Sequence, residues 1–145
     1  MKIGNIAPDI SFEGDVYKSG TSDLNYKHLS DIKSEFKLII FGASWCPKCN
    51  EEISLIPKLY SKWKMAGIEV IFVSLDSEAK EFDRFVKTFP FFCTCDFKKW
   101  DSKAAKDYHI FATPTMFLLN SNHEILLRPN NVKQVEDWVN MKLTK

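Results

Sequence analysis

Two cysteines, Cys46 and Cys49, lie three positions apart directly after the apolar run at residues 38–41. Cysteines with this spacing bring their sulfur atoms within bonding distance when the first one lies at the start of a helix. Unpaired backbone N–H groups and the positive end of the helix dipole favour a thiolate there. The spacing therefore predicts a pair that cycles between dithiol and disulfide. We expect an exposed Cys46 with a depressed pKa to be the nucleophile, and a more buried Cys49 to resolve the mixed disulfide.

The residues around the cysteine pair carry groups that could change its reactivity and its redox potential. Glu52 stands three residues after Cys49 on the same helical face, which makes it the candidate base for that thiol. The alternative is a solvent-facing glutamate that only interacts with the helix dipole. Lys48 would stabilise a Cys46 thiolate and favour the reduced form, whereas Glu52 acts in the opposite sense. Pro47 fits the first helical position, where its missing N–H costs no hydrogen bond.

The composition indicates one domain over residues 1–145, since 45% hydrophobic residues supply a core without a disulfide framework. Twenty Lys and Arg against nineteen Asp and Glu give a net charge of +1, so no nucleic acid or polyanionic partner is indicated. No run approaches the roughly 20 apolar residues of a membrane span, and no signal peptide is recognisable at the amino end. We expect no direct membrane insertion of this domain, which could be part of a longer exported protein.

The elements that hold the cysteines follow from the hydrophobic pattern. A strand is predicted from Lys37 to Ala43, because the apolar run inside this range is typical of a buried parallel strand. A helix is predicted from about Pro47 to Met65, with an apolar stripe, ending at Gly67. The strand Glu69 to Leu75 follows, and this order predicts a right-handed crossover between parallel neighbours.

The rest of the chain predicts further short elements. They are a strand-like segment at residues 10–12, a helix at 77–88 capped by Asp76 or Ser77, a strand at 91–96, a helix at 101–108, a hairpin of 115–119 with 124–127, and a last helix with Val132, Val135, Val139 and Leu143 on one face. The sum is an α/β fold with a mixed central β-sheet and helices on both faces. The cysteines lie at the carboxyl end of a central strand, where such sheets place their sites.

Several motifs in this order resemble a known family. The motifs are Cys46-Pro47-Lys48-Cys49 after a strand and Ala112-Thr113-Pro114-Thr115 before a hairpin, together with Ala7-Pro8-Asp9, Leu29-Ser30-Asp31, Ala43-Ser44-Trp45-Cys46 and Phe117-Leu118-Leu119-Asn120. The first two resemble the thioredoxin fold, and the others are similar to the TlpA/ResA branch of exported thiol-disulfide oxidoreductases. The resemblance covers nearly the whole chain, and a Cys-x-x-Cys motif is much more specific in this context than alone.

The resemblance implies roles for the residues beside the pair. It implies a cis peptide bond before Pro114, although an X-Pro bond without such context is normally trans. The Thr113 backbone would then be free to pair with an extended substrate. Trp45 would pack over the redox pair and line the substrate groove, which Pro47 and Lys48 border. A glutamate near the pair is also implied, at the position of Glu52.

The activity implied is dithiol-disulfide exchange with a protein substrate, with no dissociable cofactor. We expect a monomer in the periplasm or cell envelope that receives electrons from a membrane-bound redox donor.

Two departures from common family patterns matter. The Pro47-Lys48 order is that of the DsbA motif, which leaves oxidant activity open beside the favoured role as a reductant. Ile40 stands where many thioredoxins carry a buried aspartate, so a base would have to come from elsewhere, which favours Glu52.

Cys93 and Cys95 leave other function classes open. The two Cys pairs could form a Cys₄ zinc or copper site on a binding protein. They could also be an auxiliary redox pair, but the favoured interpretation is packing, because free cysteine is usually buried. Peroxiredoxin chemistry is disfavoured, since a peroxidatic cysteine is expected three residues after Thr or Ser and that position holds Ala43.

Overall fold

The computed structural model describes residues 1–14, 16–18, 21–23 (backbone only) and 26–144. Its strands are β1 (Val16–Lys18), β2 (Thr21–Asp23), β3 (Phe36–Gly42), β4 (Ile68–Ser74), β5 (Phe92–Cys95), β6 (Thr115–Asn120) and β7 (Ile125–Leu127). Its α-helices are α1 (Pro47–Ile53), α2 (Ile56–Met65), α3 (Ala79–Val86), α4 (Lys103–Asp107) and α5 (Val132–Leu143), with 3₁₀ turns at Leu29–Asp31 and Lys99–Asp101.

The described strands form one mixed sheet in the order β2-β1-β5-β4-β3-β6-β7. Strand β3 pairs in parallel with β4, which pairs in parallel with β5, whereas the other neighbours are antiparallel. The predicted parallel pairing of the first two long strands is therefore confirmed. Both β3 and β4 are buried along their whole length, which explains the apolar runs at residues 38–41 and 70–73.

Each face of the sheet is covered, because successive side chains of a strand point to opposite sides. Leu38 and Ile40 of β3 join the cluster that includes residues of α1, α2, α3 and α5. Ile39 and Phe41 join a second cluster with residues of α4 and the amino-terminal segment. The predicted fold class, a mixed sheet with helices on both faces, is confirmed. No helix among the described residues has both the length and the apolar character needed to cross a bilayer.

The single helix predicted from Pro47 to Met65 is wrong in one respect, because it is divided at Ser54 and Leu55 into α1 and α2. Pro57 lies in the first turn of α2, where a missing N–H is tolerated. Inside a continuous helix its ring would clash with the carbonyl of Ile53. Gly67 follows α2 with a φ of +91°, as expected for a glycine that ends a helix.

Other boundaries differ from the sequence expectations. The strand expected at residues 10–12 is only an isolated bridge between Ser11 and His28, and β1 and β2 were not predicted. Helix α3 begins after Glu78, so neither Asp76 nor Ser77 caps it. The Asp76 carboxylate is used elsewhere, as described below. The helix expected at residues 101–108 is a 3₁₀ turn followed by α4, and Leu143 of α5 is partly exposed instead of buried.

Candidate redox-active site

Cys46 is the N-cap residue of α1, directly after the loop that leaves β3. Its sulfur accepts a hydrogen bond from the backbone N–H of Cys49 at 3.2 Å. Pro47 occupies the first turn, and all four cysteines are free thiols. The expectation of an exposed Cys46 is wrong, since only 6% of the residue is accessible. The Thr113 carbonyl lies 3.6 Å from its sulfur and helps to cover it.

The two thiols differ in acidity. Burial raises the pKa of Cys46, but hydrogen bonding with Cys49, with Thr113 and with backbone N–H groups outweighs it, so the pKa is lowered. Cys49 is fully buried one turn into α1, and burial together with its hydrogen bond to Cys46 raises its pKa to about 12. The asymmetry suits Cys46 for attack on a disulfide, whereas Cys49 must lose a proton first.

Gly42, the last residue of β3, makes room for the Cys49 thiol. A Cβ atom built on Gly42 would lie 3.0 Å from Cys49 Sγ, 3.1 Å from Ile53 Cδ1 and 3.2 Å from Phe72 Cε1. The absence of a side chain therefore lets α1 approach the end of the sheet closely. Sequence reasoning missed this role, because nothing in the pattern around Gly42 tells which side chain will pack against it.

Thr113 and Pro114 border the same pair from the loop before β6. The peptide bond between them is cis, and β6 begins at the next residue. The Thr113 carbonyl accepts from the Cys46 thiol, so this loop contacts the sulfur directly. A cavity of about 340 Å³ adjoins Pro114 and is also lined by Arg128 and Asn130. It leaves open space beside the proline.

Glu52 is buried, with 7% of the residue accessible, so the solvent-facing alternative is wrong. Its Oε1 accepts the backbone N–H of Val132, the first residue of α5, at 2.7 Å. Its Oε2 lies 3.6 Å from Nζ of Lys48. The carboxylate thus joins the redox helix to the positive end of α5. Among the residues that the structure describes, these are its polar contacts, and Cys49 is not one of them.

Trp45 and Lys48 lie at the rim of the site. Trp45 is 49% accessible, and its ring centroid lies 6.3 Å from that of Trp100, which is also partly exposed. The sequence gives no sign of this pairing of Trp45 with Trp100. The Lys48 side chain is about half exposed and is held near the helix by Glu52. Phe111, just upstream of the cis bond, is almost fully exposed.

Cys93 and Cys95 are both buried on β5. The Cys93 thiol donates to the carbonyl of Phe91, and the Cys95 thiol donates to the carbonyl of Asp76 at 3.2 Å. Burial raises the pKa of both thiols, to about 11 for Cys95. Within the described ranges, no three His, Cys, Asp or Glu side chains are grouped to hold a metal ion. The geometry supports packing over a Cys₄ metal site.

Sequence comparison places this arrangement in a known family. A family described as thioredoxin-like matches residues 35–125, which include β3, the cysteine pair and β6. This chain belongs to the thioredoxin-like family. Among its relatives, the thiol-disulfide oxidoreductase ResA of Oceanobacillus iheyensis is 29% identical over 125 residues, covering 86% of this chain and 62% of ResA. The sporulation thiol-disulfide oxidoreductase A of Bacillus subtilis is 30% identical over 118 residues, covering 73% of this chain and 67% of that protein.

Solved structures show the same thioredoxin-like fold. The thioredoxin domain of a thiol-disulfide oxidoreductase from Bacteroides vulgatus superposes with a TM-score of 0.77 at 21% identity, covering 96% of this chain and 99% of that domain. A thiol:disulfide interchange protein from Bacteroides sp. gives a TM-score of 0.72 at 22% identity, covering 97% and 91%. The thioredoxin-like fold implied by the sequence resemblance is therefore confirmed. The chain spans less than two thirds of the O. iheyensis ResA to which it is similar.

Proposed function

We propose that this protein is a thiol-disulfide oxidoreductase that exchanges dithiol and disulfide with protein substrates through Cys46 and Cys49. The observation that carries the proposal is the position of Cys46 at the N-cap of α1, with the Cys49 N–H on its sulfur and Thr113–Pro114 beside it. The relatives named thiol-disulfide oxidoreductases support the same activity.

The reaction has two exchange steps. The Cys46 thiolate attacks one sulfur of a substrate disulfide, a Cys46–substrate disulfide forms, and the other substrate sulfur leaves as a thiolate. Cys49 then loses its proton to a base, and its thiolate attacks Cys46 Sγ. The Cys46–Cys49 disulfide forms and the second substrate thiolate leaves. The protein gives up two electrons, the substrate disulfide becomes a dithiol, and no metal or dissociable cofactor takes part.

Glu52 is our candidate for the base in the second step. Its carboxylate is buried on α1 three residues after Cys49, and the contacts with Val132 and Lys48 hold it in place. A buried carboxylate on the next turn of the same helix can accept the proton of a thiol of high pKa through a water molecule. A test of this assignment is given in the Discussion.

The substrate binds along the surface where the loop before β6 meets the start of α1. The backbone of Thr113 pairs with an extended segment of the substrate, because Pro114 has no N–H and ends the local strand pairing. Trp45, Pro47 and Lys48 line the other side of this groove. The partly exposed Trp45 ring offers apolar area next to Cys46.

We further propose the direction and setting of the reaction. The protein acts as a monomeric single domain that reduces protein disulfides in the periplasm or cell envelope, and a membrane-bound redox donor returns it to the dithiol. The buried Glu52 carboxylate, which opposes the effect of Lys48 on the thiolate, supports the direction, and the resemblance to exported TlpA/ResA proteins supports the setting.

The test is an equilibrium redox titration of the purified protein in thiol buffers, followed by Trp fluorescence and by mass spectrometry of the reacting pair. We expect a Cys46–Cys49 disulfide with a potential near that of thioredoxin, about −270 mV. A potential near that of DsbA, about −120 mV, would contradict the proposed direction. Absence of a Cys46–Cys49 disulfide, or full disulfide reductase activity in Cys46→Ser, would contradict the function itself.

A further inference from the structure

Asp76 is a buried carboxylate for which the mechanism above has no use. It lies just beyond the end of β4, with 1% of the residue accessible. Both of its oxygens accept the backbone N–H of Ser44 at 3.2 Å, and one also accepts the Ser44 hydroxyl. The other accepts the Ser74 hydroxyl at 2.5 Å. Every one of these partners is a hydrogen-bond donor, so both oxygens of the buried side chain are satisfied.

These hydrogen bonds reach the segment that carries the nucleophile. Ser44 is the second residue of the redox loop, which we define as residues 43–46 between β3 and α1. From α1, the Asn50 side-chain amide donates to the carbonyls of Ser44 and Cys46 at 2.8 and 3.0 Å. Asn50 of α1 and Asp76, which follows β4, therefore both hold the redox loop.

The segment around Asp76 is itself anchored. The Asp76 N–H donates to the Ser74 hydroxyl at 2.9 Å, and the carbonyl of Asp76 accepts the Cys95 thiol at 3.2 Å. The Cys95 sulfur in turn accepts the backbone N–H of Phe97. The buried Cys95 thus ties the end of β5 to the residue that holds the redox loop.

We propose that Asp76 is a positioning residue for the redox pair, which acts through Ser44 to fix the redox loop and is supported by the hydrogen bond from Cys95. The proposal rests on the proposed function, because it concerns the equilibrium of the Cys46–Cys49 pair. Asp76 touches neither sulfur among the described contacts and takes no part in the exchange steps.

Asp76 acts on the disulfide through the geometry of the redox loop. A fixed loop keeps the two thiols close and so raises their effective concentration toward each other, which stabilises the disulfide. Loss of one acceptor oxygen and of its hydrogen bonds should therefore weaken the disulfide. We expect at least a tenfold fall in the equilibrium constant for its formation in Asp76→Asn, which is about 30 mV.

The experiment measures this equilibrium constant against glutathione for the wild type, Asp76→Asn, Ser44→Ala and the double variant. Asp83→Asn, an exposed aspartate of α3, is the matched control and should leave the constant unchanged. Ser44→Ala should lower it less than Asp76→Asn does. Both substitutions affect the hydrogen bond between the Ser44 hydroxyl and Asp76, whereas the Ser44 backbone N–H remains in each variant, so the effect of the double variant should be smaller than the sum of the two single effects. A thermal melt of each variant separates a general loss of stability from a change at the pair.

A second comparison uses the two buried cysteines of β5. Cys95→Ala removes the thiol that donates to Asp76 and should lower the constant about threefold, whereas Cys93→Ala should not. If the wild type forms no Cys46–Cys49 disulfide, the proposed function fails. If it does, and Asp76→Asn and Ser44→Ala both lie within twofold of it, only the role of Asp76 is wrong. Additive effects of those two substitutions would also contradict action through Ser44.

Discussion

Cys46 and Cys49 have the same side chain and lie one helical turn apart, but hydrogen bonding and burial divide their chemistry. The Cys46 sulfur accepts the backbone N–H of Cys49. The Cys49 sulfur is packed against Gly42 at the end of β3, and its pKa is raised to about 12. The helix start alone predicts this asymmetry. What the sequence does not predict is how closely the second thiol is enclosed, because that depends on Gly42.

Gly42→Ala tests this enclosure. The new Cβ would lie 3.0 Å from Cys49 Sγ and close to two core side chains, so we expect a loss of about 1–3 kcal/mol in the free energy of unfolding. Displacement of the sulfur should also weaken the Cys46–Cys49 disulfide. Urea unfolding of the reduced protein and a glutathione titration measure the two effects. Ala43→Gly, at the next position, is a control for backbone flexibility. A Gly42→Ala protein with an unchanged free energy of unfolding and an unchanged redox potential would show that the close approach of Cys49 to Gly42 contributes nothing to either.

At the scale of elements, the Glu52 carboxylate of the redox helix α1 contacts the start of α5. Glu52 accepts the N–H of Val132 in the first turn of α5, where the Asn131 side chain caps the helix by accepting the N–H of Gln134. The 3.6-residue pattern predicted α5 and the buried Val132, Val135 and Val139, although Leu143, expected on the same face, is exposed. The contact between the two helices spans 80 residues and leaves no periodic signal, so only the folded chain reveals it.

Glu52→Gln separates the proposed base from this structural contact. The amide oxygen can still accept the Val132 N–H, so stability should change little, whereas the lost proton acceptor should slow resolution about 100-fold at neutral pH. The measurement is glutathione release from a Cys46–glutathione mixed disulfide. Glu51→Gln, an exposed neighbour on α1, is the matched control. Equal release rates for Glu52→Gln and the wild type would reject Glu52 as the base.

On the scale of the whole molecule, a second buried polar group lies away from the redox site, near the start of β3. The Lys37 ammonium is buried, donates to the carbonyl of Leu29, and lies 2.8 Å from Nε2 of His123 in the β6–β7 turn. Burial, followed by the positive charge of Lys37, lowers the pKa of His123, with Lys33 in the same sense and Asp9 opposing it. The Lys37 ammonium thus connects β3 both to the β6–β7 turn and to the 3₁₀ turn at Leu29–Asp31.

His123 should therefore make stability depend on pH. Its pKa is lower in the folded than in the unfolded chain, so protons bind preferentially to the unfolded chain, and the free energy of unfolding falls as the pH drops through 6.5. We expect His123→Asn to flatten the dependence between pH 5 and 7. The Asn side chain tolerates the positive φ of this residue. Urea unfolding at several pH values measures the slope. His109→Asn, also at positive φ, is the control, and an equal flattening there would contradict the assignment.

The parallel strands of the sheet and the cysteine pair could be predicted from the sequence, because each produces a recognisable local pattern. Continuous apolar runs mark β3 and β4, and the motif of Cys46 follows the first of them. The contacts of Asp76 with Ser44 and of Lys37 with His123 join residues 32 and 86 positions apart. Such pairs depend on three-dimensional proximity. The division of α1 from α2 was within reach, since Pro57 is visible in the sequence.

The hydrogen bond between Glu52 and Val132 also gives the protein a built-in spectroscopic reporter. The Val132 amide N–H donates a hydrogen bond to the Glu52 carboxylate, which gains a proton during turnover in the proposed mechanism. Its resonance should shift each time the charge of Glu52 changes, although Val132 is far from Cys49 in sequence and belongs to a different helix. A ¹⁵N-labelled sample titrated with glutathione would therefore follow proton movement at the redox helix from the first residue of α5, without an added label.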